Sequence, residues 1–126
     1  MKKILVVDDE APVRKMLRSM FKNDNYEIVE ADNGVTAKAM CLKGDIDLII
    51  TDIVMPEKHG VDLVMELKKE VPDLPIIAIS GGGGVSGRFD YLEIANLMGA
   101  DNILRKPFEA KDLRDIVHDV LGNKHE

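Results

Sequence analysis

The sequence predicts an α/β fold: one domain over residues 1–126, built on a five-stranded parallel sheet wound with helices on both faces. Three observations predict it. Short apolar runs alternate with amphipathic segments five times along the chain. The runs are apolar at consecutive positions, as expected for parallel strands covered on both sides. The 126 residues suffice for one core, and no low-complexity linker or internal repeat divides them.

The elements follow in order. ILVV (4–7) reads as a buried strand. Pro12 then opens a helix in its first turn, where a missing N–H costs nothing. Val13, Met16, Leu17, Met20 and Phe21 fall at helical spacing on the face expected to be buried. YEIVEA (26–31) is the second strand, and Asn33-Gly34 starts a second helix running to about Lys43. DLIITD (47–52) is the third strand, and VMPEKHG (54–60) is a loop by its Pro and Gly. A third helix runs from Val61 to Val71, and PIIAIS (75–80) is the fourth strand. A fourth helical segment covers about 89–98, and NILR (102–105) is the fifth strand. The last helix runs from Glu109 to Leu121, with Leu113, Ile116, Val117, Val120 and Leu121 on one face and Gly122 as its cap.

Composition narrows the function. A formal net charge of −6 argues against binding a nucleic-acid backbone, which needs clustered Lys and Arg. No segment approaches the ~18 apolar residues of a membrane span, and MKKILVVDDE is not a signal peptide. A reducing cytoplasm fits the single Cys41, which can form no internal disulfide and reads as a small core residue. His59, His118 and His125 are isolated and carry no ligand pattern.

In an open parallel sheet, ligands sit beyond the carboxyl ends of the strands. Asp8-Asp9-Glu10 ends the first strand, Asp52 the third and Ser80 the fourth, while Lys106-Pro107 follows the fifth. Carboxylates, a hydroxyl and an ammonium thus meet on one rim. Two carboxylates ~4 Å apart repel by about 4 kcal/mol at an effective dielectric near 20. A divalent cation or Lys106 must offset that, and an all-oxygen acidic cluster suits Mg²⁺.

The ordered set VVDDE, ITDIVMPEKHG, AIS and RKPF resembles the receiver domain of two-component response regulators, over essentially the whole chain. The resemblance implies a flavodoxin-like (βα)5 sheet of order 2-1-3-4-5. It implies that Asp52 takes a phosphoryl group from the phosphohistidine of a sensor histidine kinase or phosphotransfer protein. Asp8, Asp9, Asp52 and the backbone carbonyl of Val54 would hold Mg²⁺. Lys106 would pair with the phosphoryl oxygens, Ser80 would hydrogen-bond them, and Lys106-Pro107 would be cis. Such a domain phosphorylates itself, turns over no separate substrate, and signals to a protein target through its fourth helix, fifth strand and fifth helix. Lys111, Arg114 and Asp115 are the candidates on that last helix. With no effector segment visible after it, a stand-alone receiver is one expectation.

The sequence departs from the family in two places. SGGGGVSG (80–87) makes the loop after the fourth strand a few residues longer than usual. Gly82, Gly84 and Gly87 spell G-x-G-x-x-G, but the next strand ends in Arg105 rather than an acid. Read as a phosphate-binding loop, the run offers Arg88-Phe89 where Lys-Ser/Thr is required. A mobile switch loop that orders with phosphate is the expectation there. Ile103 stands where receivers commonly carry Tyr or Phe, and Phe89 and Tyr91 are the remaining rings nearby. Two other readings compete. A phosphorylation-independent binding module is opposed by the intact Asp8, Asp9, Asp52 and Lys106. A haloacid-dehalogenase-type phosphohydrolase would need an Asp at position 54, which is Val.

Overall fold

The computed structural model describes residues 1–53, 60–80 and 99–122. Its elements are β1 (Lys2–Val7), α1 (Ala11–Met20), β2 (Tyr26–Ala31), α2 (Gly34–Leu42), β3 (Leu48–Asp52), α3 (Gly60–Glu70), β4 (Ile76–Ser80), β5 (Asn102–Arg105) and a last helix, α4 (Ala110–Leu121). The helix expected over 89–98 lies outside the described residues. The strands form one parallel sheet in the order β2-β1-β3-β4-β5.

Strand alternation feeds two cores. Ile4 and Val6 of β1 join Leu48, Ile50, Ile77 and Ile79 under α1 and α4, where Leu17, Phe21, Leu113 and Val117 are buried. Leu5 and Val7 point the other way, with Ile49, Ile76 and Ala78, against Ala37 and Cys41 of α2 and Leu63, Val64 and Leu67 of α3. Strands apolar at every position are therefore buried on both faces. Ile103 packs against the second of these cores.

Local chemistry sets the helix ends. Pro12 sits in the first turn of α1. The Asn33 side chain caps α2 by accepting from Thr36 N at 2.8 Å. Glu109 and Asp112 form a reciprocal capping box on α4, which Gly122 closes at φ 71°. One expected core position is wrong: Met16 is 42% exposed. At 100° per residue it lies a quarter-turn or more from Leu17, on the edge of a stripe centred on Val13, Leu17, Met20 and Phe21.

Register sets the rim. Val7 is level with Ala31 and Thr51, Asp52 with Ile79, and Ser80 with Arg105. Residues just beyond β1 and β5 therefore share one edge with the last residues of β3 and β4.

Candidate functional site

The first strand leaves the sheet at Asp8, whose N–H donates to Ala31 O at 3.2 Å. Asp8 is only 1% exposed, Asp9 is exposed and Asp52 is half-buried. One carboxylate oxygen from each lies within 4.8 Å of the others. Glu10 belongs to the same turn but not to this cluster: it stands at the N-cap position of α1 without a side-chain capping bond, and its N–H donates to Asp8 Oδ1 at 2.9 Å.

Asp8 Oδ2 is buried and accepts no hydrogen bond among the described residues. Burial pushes the Asp8 carboxyl up to about 6. The Glu10 N–H pulls it down, the adjacent Asp52 carboxylate pushes it up again, and the Lys106 ammonium pulls it down. Lys106, one residue past β5 and half-buried, thus acts on the cluster across the intervening strand. Its bond to Pro107 is cis, as expected.

The structure thus brings together Asp8, Asp9 and Asp52, with Lys106 felt from the far side. Ser80 ends β4 on the same rim. The Ser80 side chain, Val54, Met55-Pro56, His59, the glycine loop, Phe89, Tyr91 and His125 lie outside the described residues. The His118 ring lies 5.7 Å from that of Tyr26, and its Nε2 lies 3.7 Å from Asp24 Oδ2. Arg114 also pairs with Asp24, at 3.2 Å, and Lys111 with Asp115 at 2.7 Å.

Two contacts at the site escaped the sequence reading. Gly60 reads as a turn residue, yet its N–H donates to Ile53 O at 2.9 Å, and a Cβ there would run into Ile53 Cα and the Asp52 carbonyl oxygen. Only a glycine lets the start of α3 approach the end of β3 so closely. Arg14 looks like a solvated helix residue. Its Nη1 instead donates to the Asp8 carbonyl at 2.8 Å and its Nε to Glu30 Oε1 at 2.9 Å.

Residues 4–118 match the family model for the response regulator receiver domain. The chain belongs to that family. It is a receiver domain of two-component response regulators, and receiver domains as a class are regulatory phosphoacceptors that interact with histidine kinases or phosphotransfer proteins. Among relatives, "Probable transcriptional regulator ycf27" of Porphyra purpurea is 40% identical over 119 residues, covering 94% of this chain and 47% of that protein. The chain thus spans about half the length of this relative. The response regulator protein TrrA of Thermotoga maritima, solved in complex with Mg²⁺ and BeF, is 32% identical. It superposes with a TM-score of 0.81, covering 95% of this chain and 99% of that one. A response regulator receiver domain protein of Clostridium thermocellum is 29% identical at a TM-score of 0.86, covering 98% and 97%. No helix among the described residues of the receiver domain is long and apolar enough to cross a membrane.

Proposed function

We propose that this receiver domain is a switch in which Asp52 accepts the phosphoryl group of a phosphohistidine on a sensor histidine kinase or phosphotransfer protein. The observation that carries the proposal is the convergence of Asp8, Asp9 and Asp52 at the ends of two strands, with a buried Asp8 oxygen that has no hydrogen-bond partner among the described residues.

In the transfer, an Asp52 carboxylate oxygen bonds to phosphorus as the histidine N–P bond breaks. The departing imidazole takes up a proton. Such a transfer needs alignment and neutralised equatorial oxygens more than a strong nucleophile. The donor set fits Mg²⁺: it is all oxygen, and Asp8 Oδ2 has no hydrogen-bond partner among the described residues. Asp8, Asp9, Asp52 and the Val54 carbonyl would hold it, and the bound cation would supply charge neutralisation at the phosphoryl oxygens. The Mg²⁺ found with the T. maritima relative supports this assignment. Lys106 pairs with a phosphoryl oxygen from the β5 side, and the Ser80 hydroxyl bonds another.

On this reading residues 1–126 form one receiver domain, working in the cytoplasm with no separate turnover substrate. Its output passes to a protein target over residues 89–98, β5 and α4. On α4, Arg114 is engaged with Asp24, which leaves Lys111 and Asp115 as the outward pair.

The test is intact mass after incubation with Mg²⁺ and a small acyl-phosphate donor, beside Asp52→Ala. The expected result is a gain of one phosphoryl group that needs Mg²⁺ and is lost in the variant. Folded wild-type protein that gains none under any condition would instead indicate a binding module that works without phosphorylation.

A further inference from the structure

Asp8 is held at more points than a cation ligand needs for its own sake. Its N–H is fixed by Ala31 O at 3.2 Å and its Oδ1 by Glu10 N at 2.9 Å. Its carbonyl is fixed by Arg14 Nη1 at 2.8 Å. The Arg14 side chain is 17% exposed, and its Nε reaches Glu30 Oε1 at 2.9 Å. Arg18 Nε takes the other oxygen of Glu30 at 2.8 Å. One side chain of α1 therefore ties the turn after β1 to edge strand β2.

We infer that Arg14, with Glu30 as its charge partner, is a positioning residue for the proposed cation site, holding the Asp8-Asp9 turn so that the two carboxylates face Asp52. The inference rests on the Mg²⁺ reading given above. A guanidinium suits the task because its planar fork serves two acceptors in fixed directions, which an ammonium cannot do. The charge needs cancelling as well. A lone guanidinium beside three carboxylates would compete with a cation for their field. Glu30 supplies an opposing charge that Arg14 shares with Arg18, and the two guanidiniums hold its carboxyl below the usual range. Arg14 thus acts on the backbone carbonyl of Asp8, leaving its carboxylate to the metal.

Calorimetric titration of MgCl₂ into metal-free protein tests this, at 15 °C and at low and high ionic strength. The samples are wild type, Arg14→Gln, Arg14→Lys and Glu30→Gln, with each unfolding midpoint measured separately. Arg14→Gln is expected to weaken Mg²⁺ binding by about 10-fold, the scale seen when groups supporting a metal ligand are removed. That loss should persist at high salt, because it is geometric. Arg14→Lys keeps the charge and loses the fork, so it should also bind several-fold more weakly even if Arg14→Gln does not fold. Glu30→Gln should lose affinity at low salt and recover most of it at high salt, where the uncancelled guanidinium is screened. Variants with lowered midpoints but wild-type Mg²⁺ affinity would show a purely structural tie and overturn the inference. Tighter binding by Arg14→Gln would overturn it too, by showing that charge outweighs position. Wild-type protein that binds no Mg²⁺ would remove the cation site itself and the inference with it, an outcome distinct from the other two.

Discussion

Replacing Asp8 with asparagine is expected to make the metal-free domain more stable at neutral pH. Asp8 is only 1% exposed, and its carboxyl is raised from 3.8 to about 6, first by burial. A displacement of that size costs about 3 kcal/mol once the group is ionised. Repulsion from the neighbouring carboxylate is part of that cost, after burial, and the Lys106 ammonium offsets some of it. The three carboxylates lie within 4.8 Å, and each pair at that separation repels by about 3.5 kcal/mol at an effective dielectric near 20. Asparagine keeps the oxygen that accepts from Glu10 N–H and puts a donor where Oδ2 has no partner among the described residues, beside the Asp52 carboxylate. Its amide still has to be buried, so the net gain should be about 1–3 kcal/mol. The sign with pH follows from the direction of the shift. The folded pKa lies above the unfolded one, so the penalty is absent below about 4, grows as pH rises from 3.8 toward 6, and is complete above that. Urea unfolding in the presence of a chelator, followed by circular dichroism at pH 7.5 and pH 4, reads it directly. The variant should be the more stable protein at pH 7.5 and lose that advantage at pH 4. With saturating Mg²⁺ the wild type should recover, because ligand binds only its folded state. Equal stability at pH 7.5, or a gain of the same size at both pH values, would refute the electrostatic account.

Other expectations follow from the packing. Gly60→Ala should destabilise the fold by about 1–3 kcal/mol in denaturant titration, since its Cβ would meet Ile53 Cα and the Asp52 carbonyl oxygen; a gain, as helix propensity alone would give, contradicts that contact. Leu17→Ala should cost about 2–5 kcal/mol while Met16→Ala costs under about 1, the same assay separating a buried side chain from one on the stripe's edge. Cys41 is buried and its thiol is pushed up to about 12, so at pH 8 an aromatic disulfide reagent should label it only as fast as the domain opens; rapid labelling of native protein would show an accessible thiolate. Asn33→Ala removes the acceptor for Thr36 N–H and should cost about 1 kcal/mol of unfolding free energy.

Much of this architecture is written in local pattern. The strands at 26–31 and 102–105 lie where their apolar runs place them, and Asn33, Pro12 and Gly122 mark helix ends through chemistry that acts within one turn. Asp8, Asp9 and Asp52 were legible for a different reason. A parallel sheet gathers the carboxyl ends of its strands, so residues distant in sequence become neighbours by topology alone. The failures share a cause. Met16 follows the helical period but sits at the margin of the stripe, and which margin is covered depends on how α1 lies on the sheet. Gly60 and Arg14 act through approaches of a few ångströms to the backbone of Asp52, Ile53 and Asp8, which no spacing in the sequence encodes. Likewise, the disparity between buried Asp8 and exposed Asp9 requires the exit path of β1, since the two acids are adjacent and chemically identical.

The central claim is that Asp52, among three clustered carboxylates, is the one that carries the phosphoryl group. Borohydride reduction of acyl-phosphate-treated protein, followed by peptide mapping, tests it at single-residue resolution, because an aspartyl phosphate is reduced to homoserine where it stands. The account predicts homoserine at position 52, formed only when Mg²⁺ was present during phosphorylation. Homoserine at position 8 or 9 instead, or at position 52 without any need for a divalent cation, would contradict it.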